Sequence, residues 1–263
     1  MTPDTLRVAL AQVTSSDDPG HNLETIEHYT RDAVARGAQM VVFPEAMMCR
    51  FGNPLDAVSE PLSGPWATAV GRIAEDYAVA VIAGMFTPSD EGRVRNTMLV
   101  ARSGGATHYD KIHLYDAFGY RESDTVAAGD EPVVFAVDDV TIGVATCYDL
   151  RFPELFTTLA DRGADVTVVC ASWGRGPGKV EQWSLLTRAR ALDSTTFVIA
   201  CGQADPAASG EHVEGTAPLG VGYSAVCAPD GRVVAQAGPA PELMVVDLDL
   251  SEVAQTREVL PVL

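Results

Sequence analysis

Three reactive side chains, far apart in the chain, stand at the ends of apolar, β-rich runs. Glu45 closes VVFPE (41–45), Lys111 ends the run near 107–112, and Cys147 follows the run at 140–146. Together these residue types can carry out acyl transfer. A thiol is a strong nucleophile once its proton is removed, and a partly buried carboxyl can take that proton and return it to a leaving amine. An ammonium beside the carbonyl oxygen under attack, helped by the backbone N–H of Tyr148, can stabilise the oxyanion. The carbonyl carbon would then rest on Cys147 as a thioester until water releases it. The stretch TCYDLRFPEL (146–155) puts Cys147 between a strand and a predicted helix, where the helix dipole and free N–H groups favour thiolate over thiol. Singly, each residue has a plainer reading: Cys147 as core packing, Glu45 as a helix-start or surface carboxylate, Lys111 as a solvated strand-end charge.

The elements that must bring them together are read from hydrophobic periodicity. Strands are predicted at 6–13, 41–44, 79–86, 95–101, 107–112, 140–146, 165–170, 196–201, 222–228, 232–236 and 243–249, and helices at about 22–37, 65–78, 151–162 and 179–193. Pro229, Asp230 and Gly231 form a good hairpin turn between the two strands that flank them. Alternating strands and helices argue for an α/β fold with a mixed sheet, either a barrel or a layered sandwich. In such folds the carboxyl ends of strands are where sites assemble, which is where Glu45, Lys111 and Cys147 fall. Segments 171–178 and 202–221, rich in Gly, Pro, Ala and Ser, read as loops long enough to border a pocket.

The neighbourhoods of the three residues resemble those of the nitrilase superfamily of carbon–nitrogen hydrolases. They read VVFPEAMM (41–48), YDKIHLYDAFGYRESD (109–124) and TCYDLRFPEL (146–155), in the family's order. ALAQV near the N-terminus, LLTRARALDS (185–194) and GVGYSAVCAPDGRVV (220–234) extend the similarity over nearly the whole chain. The resemblance implies Cys147 as nucleophile, Glu45 as general base and acid, Lys111 as stabiliser of the tetrahedral intermediate, and Glu122 as a second glutamate positioning lysine and substrate. It also implies a four-layer α-β-β-α sandwich, one carbon–nitrogen hydrolase domain over 1–263, and assembly as a homodimer or higher homo-oligomer. Nitrile-hydrolysing members usually follow the nucleophile with Trp-Glu. Tyr148-Asp149 looks instead like the amide-hydrolysing branch that contains omega-amidases and deaminated-glutathione amidases.

Substrate contacts are expected from Tyr148 and from the run ASWGRGPGKVEQW (171–183), where Trp173 and Arg175 stand among glycines. Arg175 could grip a carboxylate bidentately. That run departs from the omega-amidase pattern and leaves the substrate open. Phe118 and Tyr120 could wall the pocket or pack the loop carrying Glu122, and Arg151 and Glu154 are expected to brace the elbow after Cys147.

Composition narrows the classes. The 263 residues are 47% apolar and 21% charged, ordinary for a globular protein. Eighteen Lys and Arg against 36 Asp and Glu give a net charge of −18, which opposes binding to nucleic acid or an anionic membrane. An anionic substrate is still permitted, because local groups outweigh a diffuse screened field. The five cysteines include no Cys-x-x-Cys pair, and Cys170, Cys201 and Cys227 fall in apolar runs that read as core. His21, His28, His108, His113 and His212 have no metal-ligand spacing, and no phosphate-cradling glycine fingerprint is present, so neither metal nor cofactor is expected. No apolar stretch approaches the ~18 residues of a membrane span, and the N-terminus reads as a first strand, so a cytoplasmic setting is expected. The resulting expectation is an amidase that releases ammonia from a small carboxylate-bearing amide. An N-carbamoyl hydrolase using the same residues, a Cys147–His113 dyad, and a noncatalytic binding protein on the same fold are the alternatives.

Overall fold

The computed structural model describes residues 5–90, 92–211 and 217–263. In chain order the first half comprises β1 (Thr5–Gln12), α1 (Pro19–Ala35), β2 (Met40–Val42), α2 (Pro65–Asp76), β3 (Ala80–Pro88), β4 (Val94–Arg102), β5 (Gly105–Asp110), β6 (Asp116–Ala117) and β7 (Tyr120–Arg121). The second comprises β8 (Val134–Val137), β9 (Val140–Thr146), α3 (Pro153–Asp161), β10 (Val166–Ala171), α4 (Lys179–Ser194), β11 (Phe197–Gly202), β12 (Ala225–Cys227), β13 (Val233–Gln236), β14 (Glu242–Asp249) and α5 (Ser251–Val259).

Two six-stranded sheets form, ordered β14-β1-β2-β3-β4-β5 and β13-β12-β11-β10-β9-β8, with β6 and β7 as a separate short ribbon. Each sheet has a parallel centre, β1-β2-β3 in one and β9-β10-β11 in the other, flanked by antiparallel strands. The parallel strands are apolar on both faces, as strands covered on both sides must be. In β1, Leu6, Val8 and Leu10 point into the core between the sheets, while Ala9 and Ala11 face α1 and α2. In the second sheet, Ile142, Val144, Val168 and Ile199 point into the same inter-sheet core, and Val169, Val198 and Ala200 pack towards α3 and α4. Four layers result, α-β-β-α, which decides between the sandwich and the barrel. No helix among the described residues is long and apolar enough to cross a membrane.

The departures from the periodicity reading have local causes. Strand β5 stops at Asp110, so Lys111 stands just beyond the strand rather than within it. The helix expected from 151 begins at Pro153, and Cys147–Arg151 form a 3-10 turn instead. Strand β8 is four residues long, and α5 buries only Val253, so neither carries a stripe strong enough to read. The strand expected at 222–228 shortens to β12, because Gly220, Gly222 and Tyr223 adopt positive φ and break the extended run. His212 and positions 212–216 of the 202–221 loop lie outside the described residues.

Candidate active site

Glu45 lies three residues beyond β2 and is fully buried. Its backbone is pinned from two sides: Gln203 Nε2 donates to its carbonyl at 2.8 Å, and the neighbouring β3 runs so close that a Cβ on Gly84 would sit 2.4 Å from the Ala46 nitrogen. Glycine is therefore required at 84 for the approach that fixes the glutamate. The carboxylate is divided between partners. Oε2 accepts the Ser172 N–H at 2.7 Å, and Oε1 accepts Asn96 Nδ2 at 2.7 Å and Lys111 Nζ at 3.1 Å.

Lys111 is held by main-chain bonds on both sides, donating its N–H to Asn96 and accepting from Gly129, where a Cβ would collide with the Asp110 carbonyl at 2.2 Å. Its ammonium bridges the two glutamates, reaching Glu122 Oε2 at 2.8 Å and Oε1 at 3.1 Å besides Glu45. Glu122 also accepts from Asn96 and from the Tyr115 N–H. Burial alone would favour the neutral amine, but the charges of Glu122 and Glu45 outweigh it and hold the Lys111 pKa well above the ordinary lysine value.

Cys147 opens the turn after β9 with φ of +45°, a left-handed conformation that costs a non-glycine residue about 1–3 kcal/mol and recurs where function dictates geometry. The turn is held by Asp149, whose fully buried carboxylate accepts from Thr146 N at 2.8 Å, Tyr109 Oη at 2.7 Å, His113 N at 3.0 Å and His113 Nδ1 at 2.7 Å. Tyr109 belongs to β5 and Asp149 follows β9, so this cluster ties the two sheets together beneath the nucleophile. The Cys147 thiol faces the Ser172 carbonyl at 3.9 Å and lies against Glu45. Burial, then the Glu45 charge, push its pKa well above the usual thiol value, with Lys111 opposing. The expected dipole-stabilised thiolate is thus corrected: the turn after Cys147 is a short 3-10 helix, and Cys147 rests as a thiol beside a carboxylate able to take its proton.

These groups line one cavity of about 390 Å³, mouth included, walled by Phe51, Tyr115, Tyr120, Tyr148, Trp173 and Pro218 and carrying Arg151 and Lys179. The structure therefore brings Glu45, Lys111, Glu122, Cys147, Tyr148 and Trp173 together. Two expected contacts fall elsewhere. Arg175 is turned outward into an ion pair with Asp205, because Gly176 and Gly178 bend the loop at positive φ before α4 begins. Phe118 is 72% exposed and stands at the rim over Lys179 rather than in the wall. His113, bound to Asp149 and stacked on Phe152 at 3.7 Å, lies outside the cavity wall, which removes the geometric basis for a Cys147–His113 dyad. Arg151 reaches α4 through Gln182 at 2.6 Å, whereas Glu154 is exposed.

Sequence reasoning missed Asn96, Ser172 and Lys179. Asn96 sits among apolar residues of β4, where a buried amide was the available signal. Ser172 acts through its backbone, which leaves no trace in residue type. Lys179 stood in view beside Arg175, but only the loop's path shows which of the two cations turns inward.

A profile described as carbon-nitrogen hydrolase matches residues 7–258. The chain belongs to the carbon-nitrogen hydrolase family. It is 55% identical to hydrolase Rv0480c of Mycobacterium tuberculosis (strain ATCC 25618 / H37Rv), over 98% of this chain and 94% of that protein. It is 33% identical to the deaminated glutathione amidase of Escherichia coli O157:H7, over 92% and 90%. Among solved structures, a glutamate-to-glutamine mutant of the amidase from Nesterenkonia sp. AN1, carrying acrylamide added at its active-site cysteine, superposes with a TM-score of 0.81 at 27% identity, over 97% of this chain and 98% of that one. The four-layer sandwich is thus the nitrilase-superfamily fold.

Proposed function

We propose that this carbon-nitrogen hydrolase is an amidase that cleaves the terminal amide of a small carboxylate-bearing substrate and releases ammonia. The observation that carries the reading is a buried thiol lying against one carboxylate of a Glu45–Lys111–Glu122 cluster. Glu45 takes the Cys147 proton as sulfur attacks the amide carbon, and Lys111, with the Tyr148 N–H, stabilises the oxyanion. Collapse breaks the C–N bond, and Glu45 passes the proton to the departing nitrogen, leaving ammonia and a Cys147 thioester. Water then gives a proton to Glu45 and its oxygen to the acyl carbon. Collapse breaks the C–S bond, Glu45 reprotonates the thiol, and the carboxylic acid departs. Glu122 positions Lys111 in both halves. The similarity to a deaminated glutathione amidase supports an amide bearing a carboxylate. Exposed Val259, Val262 and Leu263 support self-association, with light scattering expected to give the mass of a homodimer or larger homo-oligomer.

The test is ammonia release from a panel of amides, nitriles and N-carbamoyl compounds by the protein and by Cys147→Ala. Ammonia without carbon dioxide from amides, lost by about 10⁴-fold or more in Cys147→Ala, is expected. Carbon dioxide alongside ammonia would mean an N-carbamoyl hydrolase. No ammonia above the Cys147→Ala background, with Cys147 untouched by iodoacetamide, would remove the hydrolase reading and leave a binding protein.

A further inference from the structure

The cavity wall holds three cations, Lys111, Arg151 and Lys179, against two carboxylates, Glu45 and Glu122. That is a local positive excess inside a chain of net charge −18. Both carboxylates are committed to Lys111, so Arg151 and Lys179 are left over. Lys179 is 7% exposed, and the hydrogen bond its ammonium makes is a long one, 3.3 Å to Tyr115 Oη. Around it stand the rings of Phe118, Tyr115 and Trp173, at 3.6, 5.5 and 5.9 Å from Nζ. Arg151 lies over the same Trp173 ring at 5.3 Å, gives one nitrogen to Gln182, and has Nε buried with no partner. Among the described residues, no acidic side chain pairs with either cation.

Folding gains nothing from this arrangement. Lys179 is the first residue of α4, where the positive end of the helix dipole opposes a cation. It is desolvated and has like charge nearby, while cation–π contacts return only part of the cost. A buried ammonium with unused donors, next to a guanidinium with an unused one, is what a bound anion would complete. We infer that Lys179, with Arg151 beside it, is the receptor for the substrate's carboxylate, each cation giving hydrogen bonds to its oxygens. The Tyr115, Tyr148 and Trp173 rings line the space between this pair and Cys147, and a short methylene chain packs there. The substrate class is therefore the monoamide of a short dicarboxylic acid. The inference rests on the amidase reading above.

The experiment compares kcat/KM for succinamate against butyramide, and for glutaramate against pentanamide, where a methyl replaces the carboxylate. A charge-assisted contact of this kind is expected to favour the anionic member by about 10- to 100-fold in the wild type. Lys179→Met should lower that ratio at least about tenfold, chiefly through KM, and Lys179→Arg should keep most of it. A ratio unchanged within about twofold in Lys179→Met, or a wild type that prefers the methyl compounds, overturns the inference. Because each ratio is taken on one preparation, partial misfolding does not mimic the effect. Calorimetric binding of succinamate and glutaramate to Cys147→Ala separates this inference from the amidase reading. Binding that weakens at least about tenfold on adding Lys179→Met, in a protein whose Cys147 form releases no ammonia, keeps the subsite and discards the reading. Equal turnover of both members of each pair, with binding indifferent to Lys179, keeps the reading and discards the subsite.

Discussion

Lys111 and Lys179 face the same cavity, and both are more than nine-tenths buried, yet their surroundings have opposite sign. Lys111 lies between two carboxylates. Lys179 lies among aromatic rings with Arg151 nearby. Burial favours the neutral amine in both. For Lys111, Glu122 and Glu45 reverse that preference and raise the pKa; for Lys179, Arg151 adds to it and the pKa is lowered. The difference teaches that burial sets only the cost of a charge, and partners decide whether the protein or a ligand meets it. Lys111 is neutralised within the fold and fixed for chemistry. Lys179 is left for something that arrives.

The largest expected break in this contrast is Lys111→Met, which leaves Glu45 and Glu122 facing each other without their cation. Acylation in single-turnover ammonia release should slow by about 10²- to 10³-fold. Stability in urea should fall by about 3–5 kcal/mol, as when one partner leaves a buried ion pair. Near-normal acylation would end the oxyanion role of Lys111.

Glu122→Gln takes away one carboxylate and moves Lys111 towards the condition of Lys179. About a 10²-fold loss in kcat is expected, because the ammonium loses its strongest anchor while Glu45 and Cys147 remain. A loss confined to KM would mean that Glu122 touches substrate rather than holding the lysine.

The contrast sharpens with pH. Because Lys179 titrates below the usual lysine value and binds the carboxylate only when protonated, KM for a carboxylate amide should rise on the alkaline side before Lys111 loses its proton. The KM profile of Lys179→Arg should lack that limb, since arginine stays charged. A limb that persists in Lys179→Arg would assign it to another group.

The smallest effect is thermodynamic. Lys179→Met removes a desolvated cation with no acidic partner, so the thermal unfolding midpoint should stay at the wild-type value or rise. A fall comparable to that of Lys111→Met would place Lys179 among the structural ion pairs.

Much of this site could be read along the chain because its chemistry is carried by short local signals. Cys147, Glu45 and Lys111 each end an apolar run, and the residues around them carry the family resemblance. The sheets were legible for the same reason, since a period-2 run such as VALAQ needs no distant information. Arg175 and Lys179 mark the limit. They are four residues apart in one glycine-rich loop, and their residue types argue equally for gripping an anion.

The chain by itself determined the reacting groups and the alternation of strands and helices, because both depend on residue identity and near neighbours. Tertiary structure decided which cation turns into the cavity, that Asp149 rather than Cys147 holds His113, and that Cys147 rests as a thiol. These outcomes depend on loop direction, on contacts between two sheets, and on burial beside Glu45. None of those is a property of any segment alone.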